Sequence, residues 1–310
     1  MKALLVVPAV VLAASLGFLA SSCGSNGDAT SAGPVPSAGT STGSASVEVP
    51  PPSTETTDTG TDTGTDTDAP ASQVTYQVWF ANDEGLFVSY RTSPETPRIG
   101  TAALEALLEG PDSFEEGYGL WTAIPDGTQL LGLSIDDGIA RVDLTSEFET
   151  GGGTASMQTR LAQVVYTITQ FPTVEGVVFS LDGEPIDILG GEGIIIDHPL
   201  TRRDYADLLP AILVLSPALT QPVESPVLIR GSANVFEANV SVQILDENDD
   251  VLAETFTTAT CGSGCRGTFR INVPFQVDHA QEGTIVVHDD DAAGSGVFPH
   301  EVRIPVRLLP

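Results

Sequence analysis

The stretch QLLGLSIDDGIARVDL, residues 129–144, has two alternating apolar and polar runs on either side of Asp136-Asp137-Gly138. Alternation with a period of two is typical of strands that have one buried face. An Asp-Gly pair between two such runs favours a tight turn. The stretch therefore predicts an antiparallel hairpin with strands at 129–135 and 139–144.

The same pattern predicts one hairpin upstream and one downstream of this stretch. Each has typical turn residues between its strands, Asn82 to Gly85 in the first and Asp182-Gly183 in the second. The candidate strands lie at 74–81 and 85–90 upstream, and at 176–181 and 186–189 downstream.

Two segments between the hairpins carry apolar residues at helical spacing. The first, 99–109, ends at Gly110-Pro111, and the second, 155–170, ends at Phe171-Pro172. The order β-β-α-β-β-α-β-β predicts an α+β domain over residues 74–197. We expect one antiparallel or mixed sheet with both helices on one of its faces.

Five short segments of this region, taken together and in order, resemble the GerMN domain. They are residues 107–111 (LLEGP), 124–128 (IPDGT), 140–144 (ARVDL) with Phe148, 161–167 (LAQVVYT) and 176–179 (GVVF). The GerMN domain is named from a sporulation and spore-germination protein, and it recurs in lipoproteins of Gram-positive bacteria. The resemblance covers about residues 74–190 and implies a GerMN-like α+β fold.

Residues 212–310 follow a polar bridge at 198–211 and show no helical periodicity. Six short segments bounded by turn residues predict an all-β domain, and this number of strands suits a β-sandwich. The candidate strands lie at 227–231, 239–245, 252–257, 267–273, 283–287 and 301–306.

Four motifs in this second domain resemble the immunoglobulin-like domain of bacterial spore-germination proteins. They are residues 215–217 (LSP), 225–227 (SPV), 231–233 (GSA) and 235–240 (VFEANV). That domain commonly follows a GerMN domain, and the order is the same here. The resemblance implies an immunoglobulin-like β-sandwich over residues 212–310.

Residues 1–22 resemble a lipoprotein signal peptide, with Lys2 at a positive start and a nearly continuous apolar run at 3–20. The sequence LASSC at 19–23 resembles a lipobox, in which Cys23 receives a diacylglyceryl group and becomes the new N-terminus. The alternative is an uncleaved signal anchor of about 18 apolar residues. Both alternatives predict a protein tethered to the cell membrane and facing outside the cytoplasm. Two acyl chains on Cys23 would suffice for stable anchoring.

Residues 23–73 predict a disordered linker. From 24 to 72 the chain consists mainly of Ser, Thr, Gly, Ala, Pro and Asp without an aromatic residue, so it cannot bury enough apolar area to fold. About 50 residues of flexible coil span roughly 35–40 Å. This reach suits a module that is held away from the membrane.

Charge and residue types exclude several classes of function. The chain has 42 Asp and Glu against 12 Lys and Arg, a formal net charge of −30, which argues against nucleic acid binding. Its only lysine is Lys2, so a mature chain lacks lysine-based catalysis and phosphate-loop lysines.

Two cysteines besides Cys23 stand close together. Cys261 and Cys265 are separated by Gly262-Ser263-Gly264 in an exported chain, which favours a disulfide. The alternative is a metal site that includes His279 and His288.

Residues 74–197 contain no His, Cys or Lys, so an active site there would depend on carboxylates. Candidate pairs are Asp136 with Asp143 and Glu115 with Glu116. Facing carboxylates can hydrolyse glycosides. We expect these residues to lie instead in turns or at solvated strand edges.

The histidines and one acidic loop are the candidate metal ligands. His198, His279, His288 and His300 lie in the bridge or the second domain, and His288 opens the sequence HDDD, which fits a metal cluster or an acidic loop. Residues 246–250 (DENDD) could bind calcium or form a hairpin turn. The turn is favoured because Val251 and Thr257 stand where an EF-hand needs Gly and Glu.

We therefore expect a non-catalytic binding or assembly module of the cell envelope, in the manner of GerMN proteins of sporulation and germination. The alternative is a carboxylate-based cell-wall glycan hydrolase. No cofactor, metal or catalytic residue is assigned. The expected partner is an envelope protein or cell-wall component, and its binding residues are unassigned; Trp79 and Trp121 could stack on sugars or belong to the core.

Overall fold

The computed structural model describes residues 72–191, 193–290 and 298–310. Cys23, the predicted signal peptide and the predicted linker up to residue 71 lie outside the described residues. The predicted linker boundary at residue 73 is slightly late, because Gln73 already belongs to the first strand and the Ser72 carbonyl accepts a hydrogen bond of 2.7 Å from the Glu95 N–H.

The first domain is α+β, as predicted. Its elements are β1 (Gln73–Asn82), β2 (Gly85–Pro94), α1 (Ile99–Glu109), α2 (Ser113–Tyr118), β3 (Leu130–Asp136), β4 (Ile139–Leu144), α3 (Thr154–Ile168), β5 (Gly176–Leu181), β6 (Glu184–Pro185), β7 (Ile188–Leu189) and β8 (Ile194–Ile195).

The strands of this domain form separate sheets, so the prediction of one sheet is wrong. Strands β1 and β2 form a two-stranded antiparallel sheet, and β7 and β8 form another. A four-stranded sheet has the order β3-β4-β5-β6 and is mixed, because β4 and β5 are parallel.

Helix α3 explains why the hairpin stays separate. It is buried from Arg160 to Ile168 and contacts β1, β5 and α1, so it lies between the hairpin and the mixed sheet. Helix α1 contacts α3 and β3 of the mixed sheet. Both helices therefore contact the mixed sheet, as predicted, and the prediction fails only in placing the hairpin in that sheet.

Polar side chains of α3 and its C-terminal turn bond the open edge of β1. The Gln170 amide group accepts a hydrogen bond of 2.7 Å from the Gln77 N–H and donates one of 2.7 Å to the Gln77 carbonyl. The Trp79 N–H donates to the Thr167 hydroxyl at 3.1 Å, and the Gln163 amide donates to the Trp79 carbonyl at 3.0 Å. These bonds take the place of a neighbouring strand.

The third predicted hairpin is shorter than expected. Its turn is present, since Asp182 and Gly183 have φ angles of 48° and 87°. The returning strand is only Glu184–Pro185, and Ile188–Leu189 pairs with Ile194–Ile195 instead. Pro185 has no N–H to donate, which ends the ladder at this point.

The second domain is an all-β sandwich of a three-stranded and a five-stranded sheet, as predicted. Its sheet orders are β14-β11-β9 and β10-β16-β15-β12-β13. The strands are β9 (Ile212–Ser216), β10 (Pro222–Val223), β11 (Val227–Ala233), β12 (Asn239–Leu245), β13 (Val251–Thr258), β14 (Gly267–Val273), β15 (Gln281–His288) and β16 (Glu301–Leu308).

The predicted bridge, 198–211, packs on the first domain. Leu200 pairs with Val177, and a 3-10 helix follows at Arg202–Leu208. The Arg202 guanidinium lies 5.4 Å from the ring centroid of Trp79 and 4.9 Å from that of Tyr166. This segment therefore supports the hairpin from outside.

Only glycine is small enough at position 85, where the β1–β2 turn packs against the segment at 202–208. A Cβ atom at Gly85 would lie 2.3 Å from the Leu208 carbonyl oxygen, and the φ angle of Gly85 is 137°.

The described residues belong to one compact unit. Their helices are all too short or too polar to cross a lipid bilayer.

Candidate functional site

Glu115, one of the candidate catalytic carboxylates, is committed to an ion pair. Its two oxygens accept hydrogen bonds of 2.8 and 2.7 Å from the two terminal nitrogens of Arg91. The Ser89 hydroxyl and the Asp112 N–H also donate to it, the latter at 2.8 Å. The expectation that Glu115 is solvated is wrong, because it is only 4% exposed.

These bonds control the ionisation of Glu115. Burial by itself would raise the pKa of Glu115, but the hydrogen bonds from Arg91, Ser89 and the Asp112 N–H outweigh burial and lower its pKa. A carboxyl that stays ionised and bonded cannot serve as a general acid. Its neighbour Glu116 is exposed and faces no such partner among the described residues.

The second candidate pair, Asp136 and Asp143, is spread along one hairpin. Asp136 lies opposite Ile139, so Asp143 is four residues further along β4, roughly 13 Å away at strand spacing. Facing carboxylates of glycosidases are at most about 9.5 Å apart. Asp143 also accepts a hydrogen bond of 3.0 Å from the Gly183 N–H and so holds the next turn.

The two tryptophans have different environments. Trp79 is 1% exposed, and its ring centroid lies 4.8 Å from that of Tyr166. Trp121 is 42% exposed, although its N–H and carbonyl pair with Ala81 at 2.8 and 2.9 Å. Trp121 is therefore the one of the two that can contact a ligand.

Two cavities adjoin the β1–β2 turn at the junction of the domains. One, of about 240 Å³, contains Trp121; the other, of about 200 Å³, contains Phe87 and Tyr118 and reaches β9 and β16. Asn82, Asp83 and Glu84 line both cavities, and Gly85 lines the cavity that contains Trp121. We call the cavity that contains Trp121 the Trp121 groove.

Tyrosine hydroxyls bond across the junction. Tyr118 donates to the Arg303 carbonyl, and Tyr90 donates to the Leu215 carbonyl. Burial raises the pKa of Tyr118 to about 12, with a smaller contribution from Glu84, so the hydroxyl stays protonated and able to donate at neutral pH. These bonds connect the two domains.

Histidines and acidic residues gather where β15 ends. His288 is 4% exposed; its Nδ1 lies 2.8 Å from the Asp289 carbonyl, and its Nε2 is buried without a hydrogen-bond partner among the described residues. Asp289 accepts from the His300 N–H at 3.0 Å and lies 2.7 Å from its Nδ1. The HDDD sequence continues into Asp291, which lies outside the described residues.

The candidate calcium loop is a turn between β12 and β13. The Asp246 carboxylate accepts hydrogen bonds from the N–H groups of Asn248 and Asp250, at 2.8 and 2.9 Å, and these bonds lower its pKa. Within residues 72–191, 193–290 and 298–310, no three or more His, Cys, Asp or Glu side chains are grouped to hold a metal ion.

Cys261 and Cys265 are joined by a disulfide, with Cα atoms 5.7 Å apart. The adjacent Arg266 donates to the Pro210 carbonyl and lies 3.2 Å from the Ser232 hydroxyl. The small disulfide loop therefore positions an arginine that bonds the segment between the domains.

Reduction of this disulfide is expected to lower the free energy of unfolding by about 2 kcal/mol, since a five-residue loop has a small closure entropy. Urea unfolding of the wild-type chain and of the Cys261→Ser, Cys265→Ser double variant would measure the difference. Thiol titration of the unfolded, unreduced chain isolated from cells should find both cysteines unreactive. Reactive thiols at these positions would contradict the disulfide in the cell.

Comparison with known families supports both domains. The Germane family, described as "Sporulation and spore germination", matches residues 70–187. The Gmad2 family, described as "Immunoglobulin-like domain of bacterial spore germination", matches residues 211–295. The predicted domain architecture is confirmed, and it is of a sporulation-associated type.

Solved structures that are similar to this chain include the following three. The first GerMN domain of GerM from Bacillus subtilis is 24% identical, with a TM-score of 0.36, and the match covers 42% of this chain and 99% of that one. The tandem GerMN domains of the same Bacillus subtilis protein are 17% identical, with a TM-score of 0.37, and the match covers 65% of this chain and 62% of that one. A protein of Clostridium perfringens described as a lipoprotein is 23% identical, with a TM-score of 0.33, covering 44% and 92%. No curated protein matches the chain.

Proposed function

We propose that this protein is a lipid-anchored envelope protein whose two domains act together as a non-catalytic binding module in the assembly of a complex outside the cytoplasm. The observation that carries the proposal is the bonded junction, at which Tyr90 and Tyr118 of the first domain donate to backbone carbonyls of the second. Two domains held in this way present one continuous surface to a partner.

The state of the candidate carboxylates also supports binding over hydrolysis. Glu115 is bonded to Arg91, and Asp143 holds the turn at Gly183. Neither proposed pair faces a common cleft at the separation that glycoside hydrolysis needs.

The lipid anchor has its own test. Replacement of Cys23 by Ala is expected to abolish metabolic labelling of the protein with an alkyne-bearing fatty acid, because no acyl chain can be attached at that position. The Cys261→Ala, Cys265→Ala double variant serves as the control and should keep the label. A wild-type chain that stays with the membrane but takes up no label would favour an uncleaved signal anchor.

The binding function is tested with the full chain in detergent and in cells. We expect crosslinking in intact cells to capture an envelope component, and incubation with purified peptidoglycan to release no muropeptides. Muropeptide release that is lost in the Asp136→Asn, Asp143→Asn variant would establish the hydrolase and overturn the proposal. Failure to capture any component and failure to sediment with peptidoglycan would also overturn it.

A further inference from the structure

An exposed indole lies in a cavity beside the domain junction. Trp121 is 42% exposed, while its backbone is tied to β1 through Ala81 by hydrogen bonds in both directions. Its cavity, the Trp121 groove, is also lined by Leu86, Thr159 and Leu208. A large aromatic ring held rigidly in a concave site gives much contact area at little entropic cost.

Three carboxylates share the groove with this ring. Asp83 and Glu84 come from the β1–β2 turn, and Asp207 comes from the segment between the domains. All three are exposed, and none of their carboxylates forms a hydrogen bond or an ion pair with a residue in the described part of the chain. No Lys or Arg lines the Trp121 groove within the described residues. The groove is therefore strongly negative.

Acceptors predominate in the groove because of its three carboxylates. The Asn82 side-chain oxygen is already used by the N–H groups of Glu84 and Gly85, at 3.0 and 3.1 Å, so Asn82 offers a ligand only its NH₂ donor. The Thr159 hydroxyl donates to the Ala155 carbonyl at 2.9 Å. A fitting ligand is rich in donors, cationic and able to stack on an indole.

The arginine side chain meets these conditions. A guanidinium has five N–H donors and no acceptor, and its planar face stacks on tryptophan. A neutral sugar, by contrast, brings as many acceptors as donors. The cavity volume of about 240 Å³ is smaller than the 300–1,000 Å³ typical of small-molecule sites, and so suits one inserted side chain.

We propose that the Trp121 groove binds an arginine of a basic segment in a protein partner. The proposal rests on the binding function above and names the chemistry of the partner. The net charge of −30 supports it, because the field of the whole chain draws a basic protein towards the groove and repels anionic polymers.

The test uses the full chain in detergent and the peptide (Gly-Arg)₄-amide with fluorescein on its N-terminal amine, and fluorescence polarisation is the readout. We expect binding at least about tenfold tighter than that of the same peptide with citrulline in place of arginine. The affinity should fall as salt is raised from 0.05 to 0.5 M, because these are exposed charges.

Two groove variants and one matched control separate the site from general charge attraction. The Trp121→Ala variant and the Asp83→Asn, Glu84→Gln, Asp207→Asn variant should each bind the arginine peptide about tenfold more weakly. The control removes three exposed carboxylates elsewhere: Asp126→Asn, Asp136→Asn and Asp137→Asn. It should change affinity less than twofold.

Three outcomes would overturn the proposal: equal weakening in the control, no effect of either groove variant, or competition by chitotetraose at the concentration at which unlabelled arginine peptide competes. The last would assign the groove to a glycan. If the groove variants still capture a component in intact cells, the binding function stands and this site is wrong. If the wild type captures nothing, the binding function fails whatever the peptide result.

Discussion

Replacement of Glu115 by Gln is expected to lower the free energy of unfolding by about 3 kcal/mol at pH 7. Glu115 uses both oxygens, one for Arg91 and Ser89 and the other for Arg91 and the Asp112 N–H. The amide of the Glu115→Gln variant would have a single acceptor oxygen, so its NH₂ group would face either the donors that Glu115 Oε1 binds or those that Glu115 Oε2 binds. Loss of one partner of a buried ion pair costs about 3–5 kcal/mol, and the lower value applies because the Arg91 side chain is 23% exposed.

The pH dependence of this loss has a defined sign. The pKa of Glu115 in the folded chain is below the ordinary value of 4.5, because its hydrogen bonds outweigh burial. Its ionised form therefore stabilises the fold above about pH 4.5, and this contribution is lost as the pH falls through the folded pKa. The difference in stability between the wild type and the Glu115→Gln variant should shrink in that range.

Glu116→Gln is the matched control, since Glu116 is the next residue and is exposed. It should change stability by less than about 0.5 kcal/mol at any pH. Urea unfolding at pH 7 and pH 3.5 measures all three chains. A Glu115→Gln variant as stable as Glu116→Gln at pH 7 would show that the ion pair does not hold the fold.

The short helix that carries Glu115 was not predicted, although the sequence contains a signal for it. Residues 113–118 (SFEEGY) are too few to show helical periodicity, and Gly117 lowers helix propensity. Asp112 and Glu115 form a capping box, a spacing that marks a helix start. The decisive partner, Arg91, lies 24 residues away, and no local pattern reveals it.

The hairpins were predicted because their signals are local. Asp137 and Gly138 have φ angles of 46° and 81°, which few residues other than Asp, Asn and Gly adopt. The separation of the N-terminal hairpin could not be predicted in this way. It depends on polar residues of α3 that bond β1, more than 80 positions earlier in the chain.

The sequence predicted only part of the Trp121 groove. Two tryptophans stood out as candidate contact residues, but only the fold shows that Trp79 is buried and Trp121 exposed. Asp83, Glu84 and Asp207 are ordinary acidic residues of an acidic chain until the segment between the domains packs beside the β1–β2 turn. Long-range packing, and not residue type, creates this site.

Replacement of Gln163 by Met is expected to lower the free energy of unfolding by about 3 kcal/mol. Gln163 is fully buried; its oxygen accepts from the Ala123 N–H at 2.8 Å, and its nitrogen donates to the Trp79 carbonyl at 3.0 Å. Methionine has nearly the same shape, but it can neither accept the hydrogen bond from the Ala123 N–H nor donate one to the Trp79 carbonyl. Each buried group left without a partner costs about 1–3 kcal/mol.

Gln170→Met is the matched comparison, because Gln170 bonds both the N–H and the carbonyl of Gln77 but is half-buried. Water can replace its hydrogen bonds, so we expect a loss of about 1 kcal/mol. Urea unfolding gives both values, and amide hydrogen exchange at Ala123 should accelerate in the Gln163→Met variant alone. Equal losses in the two variants would contradict the difference in burial, and an unchanged exchange rate at Ala123 would show that Gln163 does not hold that N–H. No loss of stability in either variant would mean that these side chains do not complete the edge of β1.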